Sequence, residues 1–81
     1  MDHPDFTKTP ATHPEYGREP YVRTRIEGAR VDGKAVAWTQ DAVLVHWATD
    51  NGVHEAWVPA GDVTRISRDQ SAWKDPYDRG G

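Results

Sequence analysis

The chain has 81 residues, a net charge of −3 and no cysteine. That length allows one domain, which buries only roughly 60% of the surface its unfolded chain exposes, and the missing cysteine excludes disulfides and thiolate metal sites. No apolar stretch is long enough to span a bilayer, and an acidic balance argues against bulk nucleic-acid binding, which needs a basic surface.

Residues 1–21 hold four of the six prolines, Pro4, Pro10, Pro14 and Pro20. Each proline disfavours helix at itself and at the residue before it. The apolar anchors here are Phe6, Tyr16 and Tyr21, too few for a core. The expectation is an extended arm, either a disordered tail or a strap ordered by contact with another surface. The start, Met1-Asp2-His3-Pro4-Asp5, has neither a basic nor an apolar signal region, so a cytoplasmic or virion-associated location is expected rather than secretion. Arginine outnumbers lysine by seven to three, and Ala, Val, Asp, Gly and Thr dominate. That usage points to a GC-rich genome, as in actinobacteria and their phages.

Residues 22–67 carry the sheet signal. Three alternating runs, Lys34–Thr39, Ala42–Ala48 and Val53–Val58, are separated by Gln40-Asp41 and Asn51-Gly52, with Asp32-Gly33 ahead of the first. Asp-Gly and Asn-Gly between such runs are strong hairpin signals, so all three dipeptides are expected as turns. Two-residue turns then pair Val43 with Trp38, Val45 with Val36, His46 with Ala35, Val58 with Val45, Ala56 with Trp47 and Trp57 with His46. A longer second loop would shift the last pairs by two and leave every side chain on the same face. One face collects Val36, Trp38, Val43, Val45, Trp47, Ala56 and Val58; with Val63 and Ile66 these form the expected core. The other face collects Ala35, Ala37, Leu44, His46, Glu55 and Trp57, with Arg30 beside Ala35. Pro59 ends the third run because it has no N–H to donate. Gly61 allows a tight 3₁₀ turn, and Thr64–Ser67 is expected to close the sheet. Residues 68–81 are expected as a tail with a short helix over Asp69–Lys74, capped by Asp69.

A strand, a long loop, a three-stranded meander, a 3₁₀ turn and a closing strand, with the segment Trp57-Val-Pro-Ala-Gly-Asp-Val63, resemble the Src-homology-3-like small β-barrels, including Tudor and KOW-type families. The resemblance implies an all-β fold: a five-stranded barrel over residues 22–67, with an extended N-terminal arm and a short C-terminal segment. It implies little about function, since such barrels bind peptides, methylated lysines, nucleic acids and proteins.

No catalytic or metal constellation stands out. His46 and His54 lie on opposite faces by parity, while His3 and His13 sit in the arm, so no metal or other cofactor is expected. His46 with Glu55 is the one imidazole–carboxylate pair expected on one face, and it suits a cross-strand contact better than a catalytic dyad. The chain is therefore expected to be a non-enzyme. The leading expectation is a protein-interaction or structural module docking on a larger assembly: a phage virion accessory, such as a capsid-decoration or tail component, or a phage protein that binds a host protein. Its contact residues would be Trp57, Leu44, His46 and Arg30, with Phe6, Tyr16 and Tyr21 of the arm. Trp57 is either covered by the chain's own tails or offered to a partner. The alternative is a nucleic-acid-binding barrel using Arg23, Arg25, Arg30 and Lys34.

Overall fold

A computed structural model of the chain describes Pro14 and residues 18–78. Five strands form one antiparallel sheet: β1 (Tyr21–Ile26), β2 (Ala29–Trp38), β3 (Ala42–Thr49), β4 (Gly52–Pro59) and β5 (Thr64–Arg65). Their order across the sheet is β4-β3-β2-β1-β5. The architecture is all-β, and the only helical elements among the described residues are two single 3₁₀ turns, Ala60–Asp62 and Arg68–Gln70. No helix among them is long and apolar enough to cross a membrane. The expected closure into a barrel is absent: β4 and β5 are the two edges, and no ladder joins them.

The first hairpin is not where Asp32-Gly33 places it. Both residues lie inside β2, and the chain reverses at Glu27-Gly28, whose φ angles are 51° and 83°. Two successive positive φ values define the primed turn whose twist suits a hairpin. Glutamate is an unusual occupant, which is why the sequence hides it. Gly33 serves a different purpose. A Cβ there would stand 2.5 Å from the His46 carbonyl oxygen, so the glycine lets β3 approach β2 closely.

A bulge at Val36 corrects the face assignment. Trp38 pairs with Val43 as expected, but Ala35 pairs with Val45 and Lys34 with His46, leaving Val36 as the extra residue. One inserted residue reverses the side of everything before it. Ala35 therefore enters the core in place of Val36, and Lys34 turns to the opposite face. In the second hairpin the pairs are shifted by two, with Thr49 opposite Gly52 and Val45 opposite Ala56. The turn residues are Asp50-Asn51, followed by Gly52 with φ 117°. The faces of β3 and β4 survive this shift.

The core consists of Val22, Ala35, Val45 and Val58, with Ile26, Val31, Trp38, Val43, Trp47 and Val63 packed against it. Ala56 and Ile66 are half-buried and stand outside that cluster. The closing strand is only Thr64–Arg65. The short helix expected at Asp69–Lys74 is instead a 3₁₀ turn one residue earlier, with Ser67 as its cap and the Gln70 side chain completing a capping box.

Two substitutions test this register. Val45 is fully buried, so Val45→Ala should cost about 1–3 kcal/mol in chemical unfolding. Gly33→Ala should also destabilise, by about 1–3 kcal/mol, because the new methyl meets backbone rather than a movable side chain. A neutral Gly33→Ala would return that position to a turn.

Candidate functional site

The face opposite the core is organised by one cross-strand row. Tyr21 of β1 pairs with Lys34 of β2, Lys34 with His46 of β3, and His46 with Glu55 of β4. Phenol, ammonium, imidazole and carboxylate thus line up across four strands. His46 Nδ1 lies 3.0 Å from Glu55 Oε2.

Lys34 is 1% exposed, an extreme burial for an ammonium group. The residues after β5 make this tolerable by folding back as a strap over the row. Lys34 Nζ pairs with Asp75 Oδ2 at 3.1 Å, with Asp78 Oδ1, and with Glu19 Oε1 at 2.8 Å. Asp78 also accepts from the Tyr21 hydroxyl and, at 2.7 Å, from Arg68 Nε. The Tyr21 oxygen accepts in turn from the Asp75 N–H at 2.8 Å. Trp73 lies over the row, its ring centroid 6.2 Å from Tyr21 and 6.0 Å from His46.

A second clamp holds the start of the strap. Arg23 donates twice to Asp32, at 2.8 and 3.1 Å, and once to the Gln70 carbonyl at 3.1 Å. Asp32 Oδ2 also accepts from the Ala72 N–H at 2.8 Å. The aspartate that the sequence presents as a turn residue is therefore a buried anchor.

These contacts set the ionisation of the face. Burial pushes the Asp78 carboxyl up, but hydrogen bonds from Lys34, Tyr21 and Arg68 outweigh it and hold the group at about 2. Burial would lower the Lys34 pKa, yet Asp78, Glu19 and Asp75 raise it above the usual lysine value. The Arg23 hydrogen bond, opposed by burial and assisted by the Ala72 N–H, lowers Asp32. Burial, followed by the bond to Asp78, raises Tyr21.

The strap covers the β1–β2 half of this face and leaves the β3–β4 half open. There a cleft of about 450 Å³ is lined by Glu19, Lys34, Val36, His46, Val53, Glu55, Asp75 and Tyr77. Tyr77 and Val53 are 73% and 67% exposed, and Trp57, two residues beyond Glu55 on β4, is 36% exposed. Leu44 is half-buried directly opposite Trp57. Among the described residues no group of three or more His, Asp and Glu side chains converges as a metal set would.

The expected contact residues divide accordingly. Leu44, His46 and Trp57 share the open face. Arg30 stands opposite Arg25 near the first hairpin and lines a different cleft. Tyr21 is not an anchor for a foreign surface; it is buried at the start of β1 and bound into the Lys34 clamp. Phe6 and Tyr16 lie outside the described residues. Lys34, expected to meet nucleic acid, is consumed by its three carboxylates. Sequence reasoning missed Asp75 and Asp78, whereas Trp73 and Tyr77 entered it as a C-terminal segment able to fold back over Trp57. The signal was present as acidic residues alternating with aromatics after Ser71, but its partner lies over forty positions upstream. No protein-family model matches the chain, and comparison with curated proteins and solved structures gives no match either.

Asp78 and Asp32 both have lowered pKa values in the folded state. Their contribution to stability is present above the ordinary carboxylate value of about 4 and is lost as pH falls toward the Asp78 value of about 2. The thermal midpoint should therefore drop steeply across that window, and Asp78→Asn should flatten part of the drop. Lys34→Met leaves three carboxylates facing one another, and should cost about 3–5 kcal/mol in urea unfolding, against little for Arg30→Met.

Proposed function

We propose that the chain is a non-catalytic interaction module that docks on a larger protein assembly through the open β3–β4 half of its outer face. The carrying observation is the cleft between strap and sheet, flanked by exposed Tyr77 and Val53 with Trp57 and Leu44 alongside. Exposed aromatics beside a concave surface are the usual anchors of protein contacts. The charge of the face supports a particular kind of neighbour. Lys34 and Arg68 are set against Glu19, Asp75 and Asp78, which leaves one negative charge in excess, and Glu55 adds another at the rim. A partner segment with an apolar anchor flanked by Lys or Arg fits that surface.

A Src-homology-3-like fold is supported by the strand order β4-β3-β2-β1-β5 and by the 3₁₀ turn just before β5. The GC-rich residue usage suits an actinobacterial or actinobacteriophage source, and in a phage the docking role would be that of a virion accessory or a binder of a host protein. The alternative, nucleic-acid binding, has Arg23, Arg25 and Arg30 in its favour. It has lost Lys34 to burial, and the overall charge opposes it.

The test combines two measurements. A photo-reactive phenylalanine analogue at Val53 or Tyr77 should give discrete adducts with one protein of the native assembly, and the same analogue at Gln40 should not. In size exclusion with light scattering, duplex DNA at low salt should leave the elution unchanged. Co-elution with DNA, together with no site-dependent adduct, would replace the docking role with nucleic-acid binding.

A further inference from the structure

Three successive cross-strand pairs on the outer face join β1 to β2: Tyr21 with Lys34, Arg23 with Asp32, and Arg25 with Arg30. The strap answers the first with Asp75 and Asp78, and the second with the Gln70 carbonyl and the Ala72 N–H. The third pair lies past the strap and opposes two cations directly, an arrangement that destabilises a sheet. Nothing described neutralises it well. Arg25 donates to the Gly28 carbonyl at 3.2 Å, and Arg30 Nε lies 3.8 Å from Asp32, which Arg23 already occupies.

The pair borders a cleft of about 500 Å³ lined by Arg23, Thr24, Arg25, Arg30, Asp62 and Thr64. One wall is fixed, because the buried Thr24 hydroxyl donates to the Asp62 carbonyl at 2.8 Å. On the neighbouring edge β1 also runs on past its last pair with β5. β5 pairs only with Val22 and Arg23, so the ladder on that side stops before Arg25.

We infer that this cleft binds an extended, carboxylate-bearing peptide segment of a partner protein, laid along β1 beyond β5. Its carboxylates neutralise Arg25 and Arg30, as Asp75 and Asp78 neutralise Lys34. Its main chain meets the peptide groups of Arg25, the next to face that edge beyond the Arg23–Thr64 pair, in the manner of strand addition. Planar guanidinium groups match carboxylates in paired geometry. A nucleic acid fits less well. It has no peptide groups to pair with the strand edge. The site lies at the opposite edge of the sheet from Val53 and Tyr77, so it stands apart from the docking face proposed above.

The experiment uses the full chain and fluorescein-labelled synthetic peptides in an anisotropy titration. A peptide of alternating Glu and Val should bind saturably and weaken as salt rises. The same peptide with Gln for Glu should bind at least about tenfold more weakly, and so should a Glu-Val peptide with methylated backbone nitrogens. The double variant Arg25→Gln with Arg30→Gln should lose a similar factor, whereas Asp50→Asn at the far hairpin should lose none. In wild-type protein, a measurement that needs no variant, amide shifts on adding the Glu-Val peptide should concentrate at residues 23–30 and 62–64. Equal binding of Gln and Glu peptides, or shifts centred on residues 53–57, would overturn the assignment. Tighter binding of a single-stranded oligonucleotide than of the Glu-Val peptide would transfer the site to nucleic acid. Adducts from Val53 and Tyr77 are independent of all these outcomes.

Discussion

The buried Lys34 ammonium is the interaction on which the rest depends. An unpaired charge in that position would cost several kcal/mol, so its three carboxylate partners are a requirement of the fold rather than an embellishment. Meeting that requirement brings Glu19 in from one side of the sheet sequence and Asp75 and Asp78 from the other. The strap they belong to then covers Tyr21 and carries Trp73 onto the row. Even the open cleft is a by-product, since its far wall is the part of the strap that Lys34 holds in place.

One extra residue makes this possible. Without the bulge at Val36, Lys34 would share a face with Trp38 and point into the core, where no carboxylate could reach it. With the bulge, Ala35 faces Val45 and the lysine turns outward to the strap. A small side chain at position 35 also suits the tight approach of β3 at Gly33. Bulge, glycine and alanine thus form one local solution to bringing two strands close while reversing the side of a charge.

Periodicity and turn chemistry are enough to place β3 and β4 and the 3₁₀ turn after Pro59. They also put Leu44, His46 and Trp57 on a common outer face, because alternation survives a shift of two. They failed where a local signal had a second explanation. Asp32-Gly33 has the composition of a turn, yet Asp32 is there for Arg23 and Gly33 for the His46 carbonyl, both partners invisible along the sequence. Glu27 adopts a conformation its residue type disfavours, so nothing advertised the true hairpin. The path of the strap is hidden for a related reason. Its short-range pattern suggests a weak helix, while its structure is dictated by Lys34, Arg23 and Tyr21 far upstream.

Those sequence separations bear on how the molecule assembles. The hydrogen bonds that seat the strap on the sheet join residues 40 to 57 positions apart, whereas the β2–β3–β4 meander is closed by short turns. Loop-closure entropy favours the local ladders first. The meander therefore forms around an ammonium that is still hydrated, and docking of the strap comes late as the step that strips its water. Opening in the native state should follow the reverse path. Amides fixed by the strap, such as those of Ala72 and Asp75, then exchange with solvent through a partial unfolding of their own, while Val45 and its neighbours exchange only when the whole sheet comes apart.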